Sequence, residues 1–294
     1  MELAEEGKIK RIFRARGKIS YPGAVCHITQ RASGKEPLFL EDSDYLYMLH
    51  LIKDVVKKFK LDVFCYVLMP NHLHILMRLS TDNLSKSMKD LFERYATYFN
   101  KKYERKGHVF GSAFRQALCF SDNYLFAASL YIHLNPVRAH IVQSPTQYRW
   151  SSCKLYARAF NGTTFIAYKF ILKMLDNDIA RARGAYCELL GSSMGIETQE
   201  VWEEPKALEY FRIRILEFMP KIISAEHESK EEFIDERKLE EKITQLRTKG
   251  RLRSPETLKA RKFLIEQLRA RGYALDRIGK MLGVSRQAIH KIIS

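Results

Sequence analysis

The sequence predicts an α+β fold, in which an antiparallel sheet covered by helices on one face follows a split βαβ plan, and a small all-helical module at the C-terminal end. Strand-like and helix-like segments alternate in the order β-α-β-β-α-β-α over roughly the first half of the chain. The charge balance then changes, because residues 246–294 carry 13 Lys or Arg against three acidic residues, a local net charge near +10. With 46% hydrophobic residues, the 294-residue chain can bury a sizeable core.

Four segments have the composition of strands. GAVCHITQR (23–31) is rich in β-branched residues, and FRQALCF (114–120) fits a short strand. LDVFCYVLM (61–69) and HLHILMRLS (72–80) are separated only by Pro70 and Asn71, a turn signal. Because so short a turn reverses the chain, these two segments are expected to form an antiparallel hairpin.

Three segments have apolar residues at helical spacing: DYLYMLHLIKDVVKKF, LSKSMKDLFERYATYFNKKYER and SDNYLFAASLYIHLNPV. Each has a polar residue that can cap its first turn, and the last two are followed by or contain a helix breaker. The predicted caps and breakers are Asp42 or Ser43 for the first helix, Asn83 or Ser85 with Gly107 for the second, and Ser121 or Asp122 with Pro136 for the third.

The chain divides into three predicted parts. Residues 1–156 form the main domain, of which the first 20 are a basic arm, and residues 157–245 are a helical extension that ends in a charged linker. Residues 246–294 form the C-terminal module. Helical character over 150–222 is interrupted at Gly162, Gly191 and Pro205, and the acid-rich segment covers 225–241.

The C-terminal module has the pattern of a helix-turn-helix. Apolar residues stripe three short helices, Gly283 provides the turn before the last, and Ser285 caps it. Four polar residues of the last helix lie outside its apolar stripe and can contact base edges and phosphates in a major groove: Arg286, Gln287, His290 and Lys291. The alternative is a small helical bundle with a solvated basic face.

The overall charge restricts the class of partner. A net charge of +16 and a pI near 9.6 favour a polyanion, nucleic acid first and an anionic membrane surface second. The N-terminal segment lacks the apolar core of a signal peptide, and no apolar run approaches the ~20 residues that span a bilayer. A cytoplasmic, nucleoid-associated protein without a membrane partner is therefore expected. The five cysteines form no CxxC pair, so buried thiols are expected rather than a zinc knuckle or disulfides.

The segment LMPNHLHIL contains the strongest candidate for a chemical site. Successive strand residues alternate faces, so His72 and His74 point the same way, and two imidazoles on one face can bind one divalent cation. Tyr131 and Asn135 are four residues apart and share one helix face. A tyrosine beside a metal ion can attack a phosphodiester, and the Asn135 amide oxygen can supply a further ligand. Structural histidines and a tyrosine packed in the core are the alternatives.

Five blocks in order resemble the REP-associated tyrosine transposases, members of the wider His-hydrophobic-His group of single-strand transposases and nucleases. The blocks are CHITQR, FCYVLMPNHLHILM, RYATYFNKKYERKGHVFGSAFR, LYIHLNPVRAHIV and YRWSSCKLY, and they cover residues 20 to about 156. The resemblance implies a ferredoxin-like catalytic domain that cuts single-stranded DNA near a hairpin. Duplex DNA is expected as a second partner because of the helix-turn-helix pattern and basic charge of the C-terminal module. The resemblance leaves a homodimer open.

The resemblance also implies roles for single residues. His72 and His74 would hold Mg²⁺ or Mn²⁺, Tyr131 would be the nucleophile, and Asn135 occupies the position of a third ligand, where more distant relatives have glutamine or an acid. This chain departs from the family after GHVF, where GSAFRQ replaces a Gln-Gly-Arg-like run. Arg115 is the candidate to replace that arginine in contacts with DNA.

Other residues of the matching blocks receive less specific predictions. His27 is expected to be structural or DNA-facing rather than a metal ligand, and Asn71 to shape the turn before the strand. Three tyrosines of the second helix are alternatives to Tyr131 whose pattern fits packing better: Tyr95, Tyr98 and Tyr103.

Three functions remain as hypotheses. The leading one is a metal-dependent enzyme that nicks and rejoins single-stranded DNA through a 5′-phosphotyrosine. The second is a sequence-specific DNA-binding transcriptional regulator whose catalytic domain is inactive or repurposed. The third is an initiator of replication or plasmid transfer, and it is disfavoured because the sequence has no Walker-type glycine loop.

Overall fold

The structure is a computed structural model that describes residues 18, 20–34, 36–119, 122–195, 261, 262, 264, 265, 268 and 275–293, without the side chains of Arg286 and Ile293. Most of the predicted N-terminal arm lies outside these residues. So do Pro205, the acid-rich segment 225–241, the candidate helix cap Ser121 and residues 246–260 of the C-terminal module.

A four-stranded antiparallel sheet forms the centre of the main domain. Its strands are β1 (Val25–Arg31), β2 (Asp62–Met69), β3 (His72–Arg78) and β4 (Arg115–Leu118), in the spatial order β2-β3-β1-β4. β2 and β3 form the predicted hairpin across Pro70 and Asn71, and β3 also pairs with β1. The predicted α+β class and antiparallel sheet are confirmed, and β3 lies in the interior of the sheet.

Three helices alternate with the strands in the predicted order. They are α1 (Asp42–Phe59), α2 (Leu84–Lys102) and α3 (Asp122–Arg138). The prediction that only one face of the sheet is covered is wrong: side chains on both faces of β3, such as Leu73 and His74, are 0% exposed, so both faces are covered. The carboxylate of Asp44 on α1 links this helix to the C-terminal end of α2. It accepts hydrogen bonds from Tyr98 Oη (3.1 Å) and Tyr103 Oη (2.7 Å), and it forms an ion pair with Lys102.

Several predicted helix ends are wrong by a few residues. α1 begins after Glu41, because Glu41 and Asp44 form a capping box, and not after Asp42 or Ser43. α2 ends at Lys102, before Gly107, because the chain already leaves the helix at Glu104 with a φ of 49°. Asn83 is the N-cap position as predicted, although its amide Nδ2 donates to Phe59 O instead of to the helix.

The prediction that Pro136 stops α3 is also wrong, since the helix continues to Arg138. Proline removes one backbone donor, but its carbonyl still accepts a hydrogen bond. Ile141 N donates to Pro136 O, and Ala139 N donates to Asn135 O, so the last turn remains bonded. Arg138 is thereby kept on the same element as Tyr131.

The chain after α3 packs onto the same core. A 3-10 helix (Pro145–Gln147) precedes α4 (Cys153–Ala157), α5 (Tyr168–Leu172) and α6 (Ile179–Ser193). Ile171, Tyr186 and other buried residues of this part belong to the core cluster that contains the sheet. α6 runs through Gly191, where a break was expected. The boundary at residue 156 stays a prediction.

The described part of the C-terminal region contains two short helices, α7 (Leu275–Leu282) and α8 (Arg286–Ile293). Gly283 joins them with a φ of 66°, and Ser285 Oγ accepts from Ala288 N at 3.1 Å, as the predicted cap. A separate hydrophobic cluster holds these helices together: Leu264, Ile265, Leu268, Ile278, Leu282 and Ile289.

Four of the five cysteines are buried as expected, whereas Cys187 on α6 is exposed. Among the described residues, no helix combines the length and apolar character needed to cross a membrane.

Candidate active site

The two motif histidines occupy one face of the sheet, as the strand alternation predicts. Both lie on β3, which begins at His72. On the neighbouring strand, Arg31 pairs with His72 and Thr29 pairs with His74. Directly opposed residues of antiparallel strands project to the same side, so these four side chains share that face.

His72 is oriented by the turn before its strand. Its ring centroid lies 5.0 Å from that of His74, with the ring planes at 89°. His72 Nδ1 is 2.7 Å from Asn71 Oδ1. An amide oxygen only accepts hydrogen bonds, so Nδ1 carries the proton, and Nε2 carries the lone pair that a metal ion needs. Asn71 therefore orients a candidate ligand in addition to shaping the turn.

His74 is fully buried, and its two ring nitrogens have different surroundings. Nδ1 lies 2.9 Å from His27 Nε2 and 3.1 Å from Thr29 Oγ1. Nε2 is buried and has no hydrogen-bond partner among the described residues. A buried polar atom without a partner costs about 1–3 kcal/mol, and native structures retain such atoms mainly where they have a use.

His27 is the residue whose role sequence reasoning missed. It is 6% exposed, its ring stacks on that of His74 with centroids 5.0 Å apart, and its Nε2 contacts His74 Nδ1. Burial lowers the pKa of His27 to about 4, so the ring is neutral near pH 7. The Nε2 atom of a neutral His27 can accept a hydrogen bond from the Nδ1–H group of His74. This bond fixes the tautomer of His74 in which Nε2 carries the lone pair.

Tyr131 approaches the histidines from α3. Its ring centroid lies 6.1 Å from that of His74 and 6.0 Å from that of His27, both in edge-to-face geometry. The side chain is only 1% exposed. The guanidinium carbon of Arg138 lies 5.7 Å from the centre of the Tyr131 ring. Burial lowers the pKa of Arg138 to about 9, and the interaction with Tyr131 opposes this effect. A cationic guanidinium therefore lies beside the candidate nucleophile.

Asn135 is buried one turn after Tyr131. Its Nδ2 donates to Tyr131 O at 2.8 Å, which fixes the amide against the helix backbone. Its part as a third ligand stays a prediction. Within the described ranges, no group of three or more His, Cys, Asp or Glu side chains is arranged to hold a metal ion. Further ligands would therefore have to be oxygens from an amide, water or a phosphate.

The histidine pair fits a divalent cation. Burial, and then the proximity of His27 and His72, holds the pKa of His74 well below its usual value, so His74 is neutral near pH 7. A metal ion requires neutral imidazole, and the buried Nε2 of His74 is a nitrogen donor with no protein partner among the described residues.

The remaining predicted DNA contacts lie in two places. Arg115 is exposed, begins β4 and pairs with Thr29, so it lies on the same sheet face as the histidines. Gln287, His290 and Lys291 are exposed on α8. The side chain of Arg286 lies outside the described residues, although its backbone begins that helix.

The alternative tyrosines have structural contacts. Tyr95 Oη donates to Leu38 O at 2.5 Å, while Tyr98 and Tyr103 donate to Asp44. The packing roles predicted for these three are confirmed, and Tyr131 alone among the four contacts the histidine rings in the described structure.

Two comparisons relate this chain to known proteins. Residues 21–135 match the family model described as IS200-like transposase, a segment that contains His72, His74, Tyr131 and Asn135. A solved structure of a REP-associated tyrosine transposase bound to a REP hairpin is 17% identical; the match covers 48% of this chain and 82% of that one, with a TM-score of 0.41. No curated protein matches the chain.

Transposases cleave DNA and transfer its strands, and the matched segment extends from the start of the sheet to the helix that carries Tyr131. Residues 21–135 of this chain are thus similar to the IS200-like transposases.

Proposed function

We propose that this protein is a metal-dependent transposase and endonuclease of the REP-associated kind, which nicks and rejoins single-stranded DNA near hairpins through a 5′-phosphotyrosine. The observation that carries the proposal is the position of Tyr131, whose ring lies 6.1 Å from that of His74. The Nε2 atom of this buried histidine has no hydrogen-bond partner within the described part of the chain. The five sequence blocks that resemble this kind of transposase support hairpin DNA as the substrate.

The proposed reaction is a phosphoryl transfer. The Tyr131 phenol oxygen attacks the phosphorus, a Tyr–O–P bond forms, and the P–O3′ bond breaks. The phenol loses one proton and the leaving 3′ oxygen gains one, so protons balance. Because one phosphoester replaces another, the 3′-hydroxyl of a second DNA end can reverse the step and join the strands.

Residues around Tyr131 prepare this step. His27, Thr29 and Asn71 orient His74 and His72 through their Nδ1 atoms. His72 and His74, with Asn135 as the proposed third ligand, would hold Mg²⁺ or Mn²⁺. Such an ion polarises a phosphodiester and stabilises charge on the leaving oxygen. The Arg138 guanidinium, beside the Tyr131 ring, attracts the negatively charged phosphate.

The C-terminal helices are proposed to bind duplex DNA as a helix-turn-helix. The glycine turn, the Ser285 cap and the separate hydrophobic cluster support this assignment. Exposed Gln287, His290 and Lys291, together with Arg286, would contact base edges and phosphates in the major groove.

A labelled hairpin oligonucleotide with single-stranded flanks tests the enzyme assignment. With Mn²⁺, the wild-type protein should become covalently attached to the DNA, while Tyr131→Phe should bind the DNA without forming an adduct. Tyr98→Phe is the matched control, because it removes a phenol oxygen that bonds to Asp44 instead, and it should still form the adduct.

Hairpin binding by the wild type without an adduct, across a broad panel of hairpins, would contradict the enzyme assignment. That result would support the alternative of a DNA-binding transcriptional regulator with a repurposed catalytic domain.

A further inference from the structure

Buried polar side chains lie on the side of α3 that faces away from Tyr131. Ser129 and His133 precede and follow Tyr131 by two residues, and each residue turns an α-helix by ~100°, so both side chains point to roughly the opposite side. They meet Tyr186 on α6, whose Oη donates to Ser129 Oγ at 3.1 Å and lies 2.8 Å from His133 Nδ1. All three of these side chains are 0% exposed.

The hydrogen bonds of this group form one directed chain. Ser129 Oγ donates to Phe126 O at 2.7 Å, so it accepts the single hydroxyl proton of Tyr186. Tyr186 Oη must therefore accept from His133 Nδ1. Burial lowers the pKa of His133 to about 3, so the ring is neutral near pH 7 and its Nε2 carries a lone pair. Ser152 Oγ, 2.9 Å from this Nε2, is the donor that it needs.

The other end of the chain is attached to the sheet. Ser152 Oγ accepts from Tyr66 N on β2 at 2.9 Å, and it lies farther from Tyr66 O, at 3.2 Å, than from the imidazole. Val67, the next residue of β2, pairs with His74. The hydrogen bonds therefore connect α3 to the sheet beside the strand position of His74, and they connect it to α6 as well.

The rotation of α3 matters for Tyr131 because this side chain reaches far from the helix axis. An atom ~6 Å from the axis moves by ~1 Å when a helix turns by ~10°. A misplacement of ~1 Å can lower the rate of a reaction ~100-fold. Hydrogen bonds restrict such rotation more strongly than apolar contacts do, since they weaken steeply when their angle changes.

We propose that Tyr186 is a positioning residue for Tyr131: through Ser129 and His133 it fixes the rotation of α3 that holds the Tyr131 ring against that of His74. This inference rests on the proposed function. It makes α6 part of the unit that carries out the reaction, although the match to the family model ends at residue 135.

Tyr186→Phe tests the role of the hydroxyl with a matched control. The substitution keeps the ring, whose centroid lies 5.7 Å from that of Phe126 and 4.7 Å from that of Tyr156. Tyr156→Phe is the control, because Tyr156 is equally buried and its Oη donates to Phe64 O on β2 instead of to α3. Each variant loses one buried hydrogen bond, so the two urea midpoints should shift by similar amounts.

The rate of adduct formation should separate the two variants. With Mn²⁺ and saturating hairpin DNA, Tyr186→Phe should form the adduct at least ~10-fold more slowly than the wild type. Its affinities for Mn²⁺ and for the hairpin DNA should not change. Tyr156→Phe should react at the wild-type rate. Adding Ser129→Ala to Tyr186→Phe should slow the reaction no further, since both substitutions break the same chain.

A fluorine label reports the position of Tyr131 without cleavage. Tyr131 is replaced by a fluorinated tyrosine, and its fluorine NMR signal is recorded in EDTA without DNA. Tyr186→Phe should shift this signal or split it into two lines, because the label moves relative to the rings of His27 and His74. Tyr156→Phe should leave the signal unchanged.

An unchanged fluorine signal in Tyr186→Phe overturns the inference, and so does adduct formation by this variant at the wild-type rate. In both cases, adduct formation by the wild type leaves the proposed function standing. If the wild type forms no adduct while the signal still moves in Tyr186→Phe, the placement of Tyr131 by α6 is supported and the enzyme assignment fails, so the two failures are distinguishable.

Discussion

His74 and His133 are both fully buried histidines, yet their ring nitrogens differ in their hydrogen-bond partners. His133 has a partner for each nitrogen, Tyr186 Oη at 2.8 Å from Nδ1 and Ser152 Oγ at 2.9 Å from Nε2. Among the residues that the structure describes, His74 has hydrogen-bond partners only at Nδ1. Burial alone therefore does not distinguish a structural histidine from a candidate ligand; the nitrogen without a protein partner does.

The two histidines also connect different parts of the molecule. His133 joins α3 to α6 through Tyr186 and to the segment before α4 through Ser152, so it ties the nucleophile helix to the chain that follows. His74 joins β3 to β1 through His27 and Thr29. Both lie next to the proposed chemistry, but only His74 contacts the ring of Tyr131.

The largest expected effect is the loss of metal binding in His74→Ala. Removing one of two nitrogen ligands should weaken Mn²⁺ affinity by at least ~100-fold, measured by isothermal titration calorimetry. The free energy of unfolding should fall less than in His133→Ala, because the substitution also removes a buried nitrogen that has no hydrogen-bond partner in the described structure. Unchanged Mn²⁺ affinity would remove His74 from the metal site.

His133→Ala should have the opposite profile. It leaves Tyr186 Oη and Ser152 Oγ without this partner and opens a cavity, so the free energy of unfolding should fall by ~3 kcal/mol in urea titrations. Mn²⁺ affinity should stay at the wild-type value. Exposed His108→Ala is the control and should change stability by less than ~0.5 kcal/mol. A loss of metal affinity comparable to that of His74→Ala would break the comparison.

The free energy of unfolding should fall at acid pH, because the folded protein contains buried, neutral histidines. Burial lowers the pKa of His133 to about 3 and that of His27 to about 4, whereas each returns to ~6.5 in the unfolded chain. Between pH 6.5 and 4 the unfolded state binds more protons, so stability falls as the pH falls. Each histidine contributes up to ~1.4 kcal/mol per pH unit.

Urea titrations in EDTA between pH 6 and 5 measure this slope. In His133→Gln the slope should be shallower by up to that amount, since one buried imidazole is gone. Equal slopes in the variant and the wild type would show that His133 is protonated in the folded state.

The smallest effect is expected from the residue that orients His74. His27→Ala should lower Mn²⁺ affinity by ~10-fold, the lower end of the range for a residue that hydrogen-bonds to a metal ligand. His27→Gln keeps an acceptor and should recover part of the loss. If His27→Ala binds Mn²⁺ with wild-type affinity, His27 only packs against His74 and does not orient it for metal binding.

The local patterns of the sequence were sufficient for much of the fold and part of the site. Alternation along β3 places His72 and His74 on one face, and the two-residue link at Pro70 and Asn71 specifies the hairpin. Glycine and serine at 283 and 285 likewise predict the turn and cap between α7 and α8. Each of these depends on neighbours in the chain, so a sequence is enough to predict it.

Helix ends were less predictable, because they depend on which of several nearby groups completes the hydrogen bonds. Glu41 and Asp44 form the capping box in place of caps at Asp42 or Ser43, because Asp44 is also bound by Lys102, Tyr98 and Tyr103. Similarly, α3 continues past Pro136 because later backbone donors find acceptors within the same turn.

The sequence by itself determined the order of the elements, the shared face of the two histidines and the basic character of the C-terminal region. Only the tertiary structure decided that His27 and Thr29 hold His74 from β1, and that Tyr131, not Tyr95, lies against these rings. The physical reason is register: His27 and His74 are 47 residues apart, and their contact depends on how β1 pairs with β3 and how α3 packs on the sheet. Alternation is a property of one strand, whereas a site is assembled by pairing between segments that are remote in the chain.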